Sequence, residues 1–377
     1  MHASERLNLL DFGQPQLEAL LETWGERRFR ARQLMTWIHR RGVADFEQMT
    51  DIGKGLRARL AARAEVRPPV VKLEQRAADG TRKWLLTLSC GNAVETVFIP
   101  EGQRGTLCVS SQVGCSLNCR FCATATQGFN RNLTAGEIIG QLWVAQRRLA
   151  ESYGDQRAIT NVVLMGMGEP LMSFDNVMVA VGLMNNDLGY GIGKRRVTLS
   201  TAGLVPGIER LGEHTDISLA ISLHAPNNAL RDVLVPLNRK YPIEQLIAAC
   251  RRYLGNTPHR RITVEYVMLD GVNDSLAHAR ELTQICRQLP CKVNLIPFNV
   301  FPGTDYRRSA DAVIDRFHGH LLKQGLTVTT RKTRGDDIEA ACGQLQGQFV
   351  DRTRRRLSRL RPATDSAVDG AVGARFN

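Results

Sequence analysis

From Leu107 to about Arg331 the chain alternates between short β-type runs and longer helical patterns, and this rhythm limits the fold more than any other feature. The β-type runs fall at 107–110, 161–165, 196–201, 217–223, 262–268 and 292–297. Helical patterns lie between and after them, at 135–153, 174–187, 205–212, 243–254, 275–289 and 310–324. A strand that reaches a parallel neighbour needs a long crossover, and a helix is the usual way to make one. The repeat therefore predicts an α/β fold, a partial (βα)6 TIM-like barrel whose chemistry sits at the carboxyl ends of the strands. At 377 residues and 43% hydrophobic content the chain can bury that core and carry an accessory domain as well, which excludes a wholly disordered protein.

The flanks differ in character. Residues 1–69 read as a small helical domain: Leu17, Leu20, Leu21 and Trp24 share one helical face, and Leu34, Trp37 and Ile38 share another. Pro68 and Pro69 end that pattern. Residues 70–100 turn to short alternating segments at 84–88 and 94–99, with Asp79-Gly80 as a turn signal, and predict a connecting β-hairpin. The core then spans 101–335, a short segment with Cys342 spans 336–350, and 351–377 is a basic stretch running into a small-residue tail expected to be disordered.

Charge and cysteine count narrow the function. No run is apolar for long enough to span a membrane, and residues 1–16 lack the basic-then-apolar order of a signal peptide, so a cytoplasmic protein is expected. In that reducing compartment nine cysteines, an odd number, point to metal ligation or catalysis rather than a disulfide framework. Fifty Lys and Arg against 37 Asp and Glu give a formal net charge of +13, which attracts RNA, DNA or an anionic membrane surface. The excess is clustered at Arg27, Arg28, Arg30 and Arg32, at 194–196 and at 352–361. A basic helical module such as 1–69 can dock nucleic acid through its backbone, although charge runs are also what ordinary solvated faces look like.

Cys115, Cys119 and Cys122 form a C-x3-C-x2-C array just after the first strand of the alternating region. Three thiolates on one short loop can ligate three irons of a four-iron four-sulfur cluster and leave the fourth open to substrate. A structural zinc would need a fourth protein ligand, and the nearest histidines in sequence are His39 and His214. The second strand ends in Gly166-Met167-Gly168-Glu169-Pro170. Its glycines permit close backbone approach and its carboxylate suits an ammonium group, though alone such a turn is only a loop signal.

The cysteine spacing, with Phe121 before the last cysteine, resembles the radical SAM superfamily. Further stretches agree in order and spacing with the RlmN family of dual-specificity adenosine C2 methyltransferases: CVSSQVGC at 108–115, QGFNRNL at 127–133, LSTAG at 199–203, SLHA at 222–225, PFN at 297–299 and ACGQ at 341–344. The likeness runs from about residue 13 to 347. It implies a radical SAM barrel with an N-terminal RNA-binding domain, a [4Fe-4S] cluster on Cys115, Cys119 and Cys122, and two molecules of S-adenosyl-L-methionine per turnover. It implies cofactor contacts at Gly168, Glu169, Ser200, Ser222, Leu223, His224 and Asn299.

The same resemblance makes Cys342 the methyl carrier, Cys108 the thiol that releases product by forming a disulfide with it, and Glu95 a proton acceptor. The implied substrates are 23S rRNA and tRNA, methylated at C2 of an adenosine through a covalent RNA–protein intermediate. The implied partner is an electron donor such as flavodoxin, and the expected state is a monomer without a membrane. Two other readings stay open at this point: a Cfr-like enzyme acting at C8, and a noncatalytic iron-sulfur protein that binds RNA. Without the resemblance, Glu95 reads as an exposed strand residue and His224 as a satisfied structural one. Cys90, Cys250, Cys286 and Cys291 match no motif and are expected to be small buried hydrophobes.

Overall fold

A computed structural model describes residues 6–154, 156–255 and 259–352. The chain opens with β1 (Leu7–Asn8), α1 (Gln14–Thr23), α2 (Phe29–Met35), α3 (Lys54–Arg63) and β2 (Ala64–Glu65), which pairs with β1. Leu17 and Leu21 are buried, with Leu20 and Trp24 partly buried beside them, as helical spacing requires. These side chains belong to the same apolar cluster as the main sheet.

Next, β3 (Val70–Arg76), β4 (Arg82–Thr87), β5 (Ala93–Glu101) and β6 (Arg104–Cys108) form an antiparallel meander. The Asp79 carboxylate accepts the Thr81 N–H in the β3–β4 turn. The expected hairpin is therefore part of a longer element that continues into the core. β7 (Gln112–Gly114) and β8 (Phe129–Asn132) pair with each other and bracket the cysteine loop and α4 (Ala123–Gln127).

The alternating region follows as α5 (Ala135–Tyr153), β9 (Asn161–Leu164), α6 (Phe174–Asn185), β10 (Val197–Thr201), α7 (Val205–His214), β11 (Ser218–Ser222), α8 (Asn228–Leu234), α9 (Ile243–Leu254), β12 (Ile262–Met268), α10 (Leu276–Cys286), β13 (Cys291–Pro297), α11 (Asp311–Lys323) and β14 (Val328–Thr330). The six expected strands are β6 and β9 to β13, parallel and in chain order. β14 adds a seventh parallel strand beside β13. The full order is β14-β13-β12-β11-β10-β9-β6-β5-β4-β3, and its edges, β14 and β3, do not meet, so the barrel is open.

α5 begins with a capping box: Thr134 accepts the Glu137 N–H, and the Glu137 carboxylate accepts the Thr134 N–H. The N-terminal module docks on this helix, where Asp11 accepts the Gly136 N–H at 2.7 Å and the Trp143 indole donates to the Ile38 carbonyl at 2.9 Å. Lys194, Arg195 and Arg196 are exposed at the amino end of β10, away from the carboxyl edge of the sheet. Of the basic run at 352–361 only Arg352 is described; the rest, with the expected disordered tail, lies outside the described residues. No helix among the described residues is long and apolar enough to cross a membrane.

Candidate active site

The carboxyl ends of β9 to β13 and the cysteine loop surround a cleft of about 960 Å³ that opens to solvent. Cys115, Cys119, Cys122, Gly168, Glu169, Ser200, Ser222, His224, Asn299 and Cys342 all line it. Leu223 does not; its side chain is fully buried in the core and its carbonyl accepts a bond from Arg231. A second, smaller cavity adjoins the cleft and is lined by Cys108, Cys342, Asn299, Arg331, Lys332 and Arg334 among others. Cys342 forms part of the wall of both.

The cysteine loop is held at its ends by the Cys115 N–H donating to the Gly128 carbonyl at 2.7 Å and the Arg120 N–H donating to Leu234 at 3.2 Å. Burial and the neighbouring thiols raise the pKa of Cys115, and burial followed by Cys122 pushes Cys119 up to about 12. Sequence distance had placed every histidine far from this loop, but the fold brings His224 and Glu169 into the same cleft. Both already hold backbone hydrogen bonds. His224 Nδ1 accepts the Val267 N–H, and the two Glu169 oxygens accept the Leu171 and Ala202 N–H groups at 3.2 and 2.8 Å. Four thiols face the cleft: three share one short loop and would hold a cluster with one open iron, and the fourth, Cys342, comes from a distant segment.

The glycines of the β9 end do what their type suggests. Gly168 has φ +100°, and a Cβ there would lie 2.5 Å from Gln112 Cβ, so no other residue fits the turn. Gln112 in turn accepts the Glu169 N–H at 2.9 Å. Glu169 is buried with no ion-pair partner in its hydrogen bonds, and burial pushes its pKa up to about 7. His224 sits at φ +58°, a sparsely populated conformation, with its carbonyl held by Asn273 at 2.8 Å and its ring edge-on to Phe121 at 4.5 Å. Burial lowers its pKa to about 3, so the ring is neutral and packs the wall of the cleft.

On the other side, Arg331 Nη1 donates to Cys342 Sγ at 2.8 Å, and Asn299 Nδ2 donates to the Cys342 carbonyl at 3.1 Å. Interaction with Cys342, aided by Glu265 and Cys108 against the cost of burial, raises the Arg331 pKa above its ordinary value. Burial raises Cys108 as well. Glu95 is buried rather than exposed: β5 is an inner strand, and the carboxylate pairs with Lys83 at 3.1 Å and accepts the Gln346 N–H at 2.8 Å. Burial raises its pKa while Lys83 and that N–H pull it back.

Two family models match the chain: the "Ribosomal RNA large subunit methyltransferase N-terminal domain" over residues 7–66, and the "Radical SAM superfamily" over residues 109–282. A dual-specificity RNA methyltransferase RlmN of Marinobacter nauticus is 58% identical over 354 residues, covering 94% of this chain and 96% of that protein. The RlmN of Xylella fastidiosa strain 9a5c is 57% identical over 374 residues, covering 96% and 92%. The chain belongs to the RlmN family.

A crystal structure of a radical SAM methyltransferase from Sphaerobacter thermophilus superposes with a TM-score of 0.85 at 47% identity, covering 90% of this chain and 99% of that one. RlmN-family enzymes are radical SAM proteins that use a [4Fe-4S] cluster and S-adenosylmethionine, so the thiol set has a matching cofactor. The membership removes the noncatalytic reading. Sequence reasoning missed Arg331, Glu265 and Lys83. Glu265, on β12, lines the cleft and accepts both Asn294 Nδ2 contacts at 3.2 and 3.0 Å. A charged residue inside a strand, as at Glu265 and Lys83, or at a strand end, as at Arg331, was the available signal. Of the four unassigned cysteines, Cys250 and Cys286 are buried and Cys291 half-buried, whereas Cys90 is exposed beside Arg131.

Proposed function

We propose that this enzyme methylates C2 of an adenosine in 23S rRNA and in tRNA, with Cys342 as the carbon carrier. The bound cluster and S-adenosylmethionine supply the methyl group and the hydrogen-abstracting radical. Cys342 takes the methyl on sulfur as a nucleophile and, after hydrogen is removed from that S-methyl group, its carbon bonds to C2 of the RNA base. The resulting radical loses one electron, for which the cluster held by Cys115, Cys119 and Cys122 would be the acceptor, and the C2 proton passes to Glu95. The Cys108 thiolate attacks Cys342 sulfur; the S–S bond forms as the S–C bond breaks, and the released carbon takes the electron pair and a proton. Two electrons and two protons restore both thiols. Glu169 faces the cofactor ammonium, and Gly168, Ser200, Ser222, Leu223, His224 and Asn299 contact the rest, Leu223 through its backbone.

What supports this reading is the shared wall. Cys342 borders both the cleft with the three cysteines and the cavity with Cys108, so one sulfur can be reached from each side. Lys332 and Arg334 at the second cavity suit an RNA backbone. The helical module at 1–69 adds contacts to RNA, and the enzyme works as a cytoplasmic monomer reduced by a donor such as flavodoxin. The direct test is mass spectrometry of RNA from cells with and without the protein, using C2- and C8-methyladenosine standards. Loss of the C2 mark supports the reading, and loss of a C8 mark replaces it with the Cfr-like alternative.

A further inference from the structure

The segment that carries Cys342 has no helix or strand of its own between Ala341 and Arg352, apart from one backbone bridge between Gln348 and Ala93. Such a stretch keeps its place only through its contacts. Many of them fall on the residues that directly follow Cys122. The Ala123 N–H donates to Gly343 O at 2.7 Å, and Thr124 Oγ1 donates to Leu345 O at 2.7 Å. Gln127 makes a reciprocal pair: its Nε2 donates to Gly347 O at 3.2 Å and its Oε1 accepts the Gly347 N–H at 2.9 Å. Asn130 Nδ2 donates to Val350 O at 2.7 Å.

The Gln127 amide thus gives Gly347 the two bonds that a neighbouring strand residue would give in an antiparallel ladder. Gly347 is pressed into this place. A Cβ on it would lie 2.6 Å from both Ala93 O and Met167 Cε. Gln127 itself lines neither cavity, so its effect on Cys342 must pass along 343–347. We propose that Gln127, supported by Asn130, is a positioning residue that holds the Cys342 segment against the cysteine loop and so fixes the carrier sulfur between the two cavities. This rests on the reading of Cys342 as carbon carrier.

The test uses the full-length, cluster-loaded protein and the variants Gln127→Leu, Gln127→Glu and Asn130→Ala. In Gln127→Leu, amide exchange across 343–347 rises at least about tenfold, and a maleimide labels Cys342 faster in the absence of RNA. RNA methylation falls by about ten- to a hundredfold, in kcat rather than in KM, because only the placement of the sulfur has changed. Iron content and reductive cleavage of S-adenosylmethionine stay as in the parent. Gln127→Glu keeps the acceptor for the Gly347 N–H and falls between the two. Should Gln127→Leu fail to fold, Gln127→Glu and Asn130→Ala report the same exchange and labelling. Parent-like exchange, labelling and turnover in these variants overturn the proposal. A Cys342→Ala protein that still methylates RNA overturns the carrier reading instead, so the two failures are distinct.

Discussion

Two arginines, Arg231 on one side of the active site and Arg331 on the other, are used in opposite ways. On the cysteine-loop side Arg231 is fully buried, and its donors go to the carbonyls of Leu223, Ala202 and Ser222 and to Asn238 Oδ1 at 2.7–3.2 Å. Burial lowers its pKa to about 10, and it ties the ends of β10 and β11 to α8. On the carrier side Arg331 is half-buried and aims at a sulfur. The first arginine shapes the cleft; the second contacts the sulfur proposed as the carbon carrier.

Replacing each separates these duties. Arg231→Met leaves two buried carbonyls, a half-buried one and a buried amide oxygen without this donor, and stability should fall by at least about 3 kcal/mol in denaturant melts. Arg331→Met removes one contact to Cys342, and methylation should fall about a hundredfold while stability falls by no more than about 1 kcal/mol. If the stability losses were equal, the two arginines would not differ in kind.

The same contrast explains what could be read from the chain alone. The cysteine-loop side is local: Cys115, Cys119, Cys122 and the 166–170 turn announce themselves by spacing, and the six parallel strands by their rhythm. The carrier side is assembled from β5, β6, the end of β13, the residues after β14 and the 340–345 segment, which no short-range pattern links. Cys342 and Cys108 were placed there only through the family resemblance. β14 has three residues, too few for periodicity to register, and the short helix α8 was also passed over. Glu95 looked exposed because alternation within the 84–88 and 94–99 hairpin says which residues share a face but not that Lys83 and the distant Gln346 N–H meet the carboxylate there.

A third measurement compares the two buried acids. Among the described residues Glu169 has no ion-pair partner, and its pKa is pushed up to about 7, whereas Glu95 has Lys83. An ammonium pairs with the ionised carboxylate, whose fraction rises with pH. S-adenosylmethionine binding should therefore weaken about tenfold between roughly pH 8 and pH 6, and Glu169→Gln should bind weakly without that dependence. In the ligand-free protein the sign is opposite. A carboxyl raised above its unfolded value costs stability as pH climbs from about 4.5 towards about 7, so melts should weaken over that window. A pH-independent affinity in the parent would detach Glu169 from the ammonium.

The smallest effect is expected at the rim of the carrier side. Lys332 is exposed beside the Cys108–Cys342 cavity. RNA affinity should fall steeply with salt, and Lys332→Ala should reduce the slope of log K against log salt by about 1. An unchanged slope would move the RNA path elsewhere.

In the proposed reaction Cys342 carries the carbon and Cys108 acts only after the bond to RNA exists. Incubating reduced, cluster-loaded Cys108→Ala with S-adenosylmethionine and substrate RNA tests it most directly. The account predicts a covalent protein–RNA species that survives denaturation, is trimmed by nuclease to a nucleotide remnant on Cys342, and is missing from the Cys108→Ala, Cys342→Ala double variant. Normal turnover by Cys108→Ala, or a remnant mapped to any other residue, would contradict it.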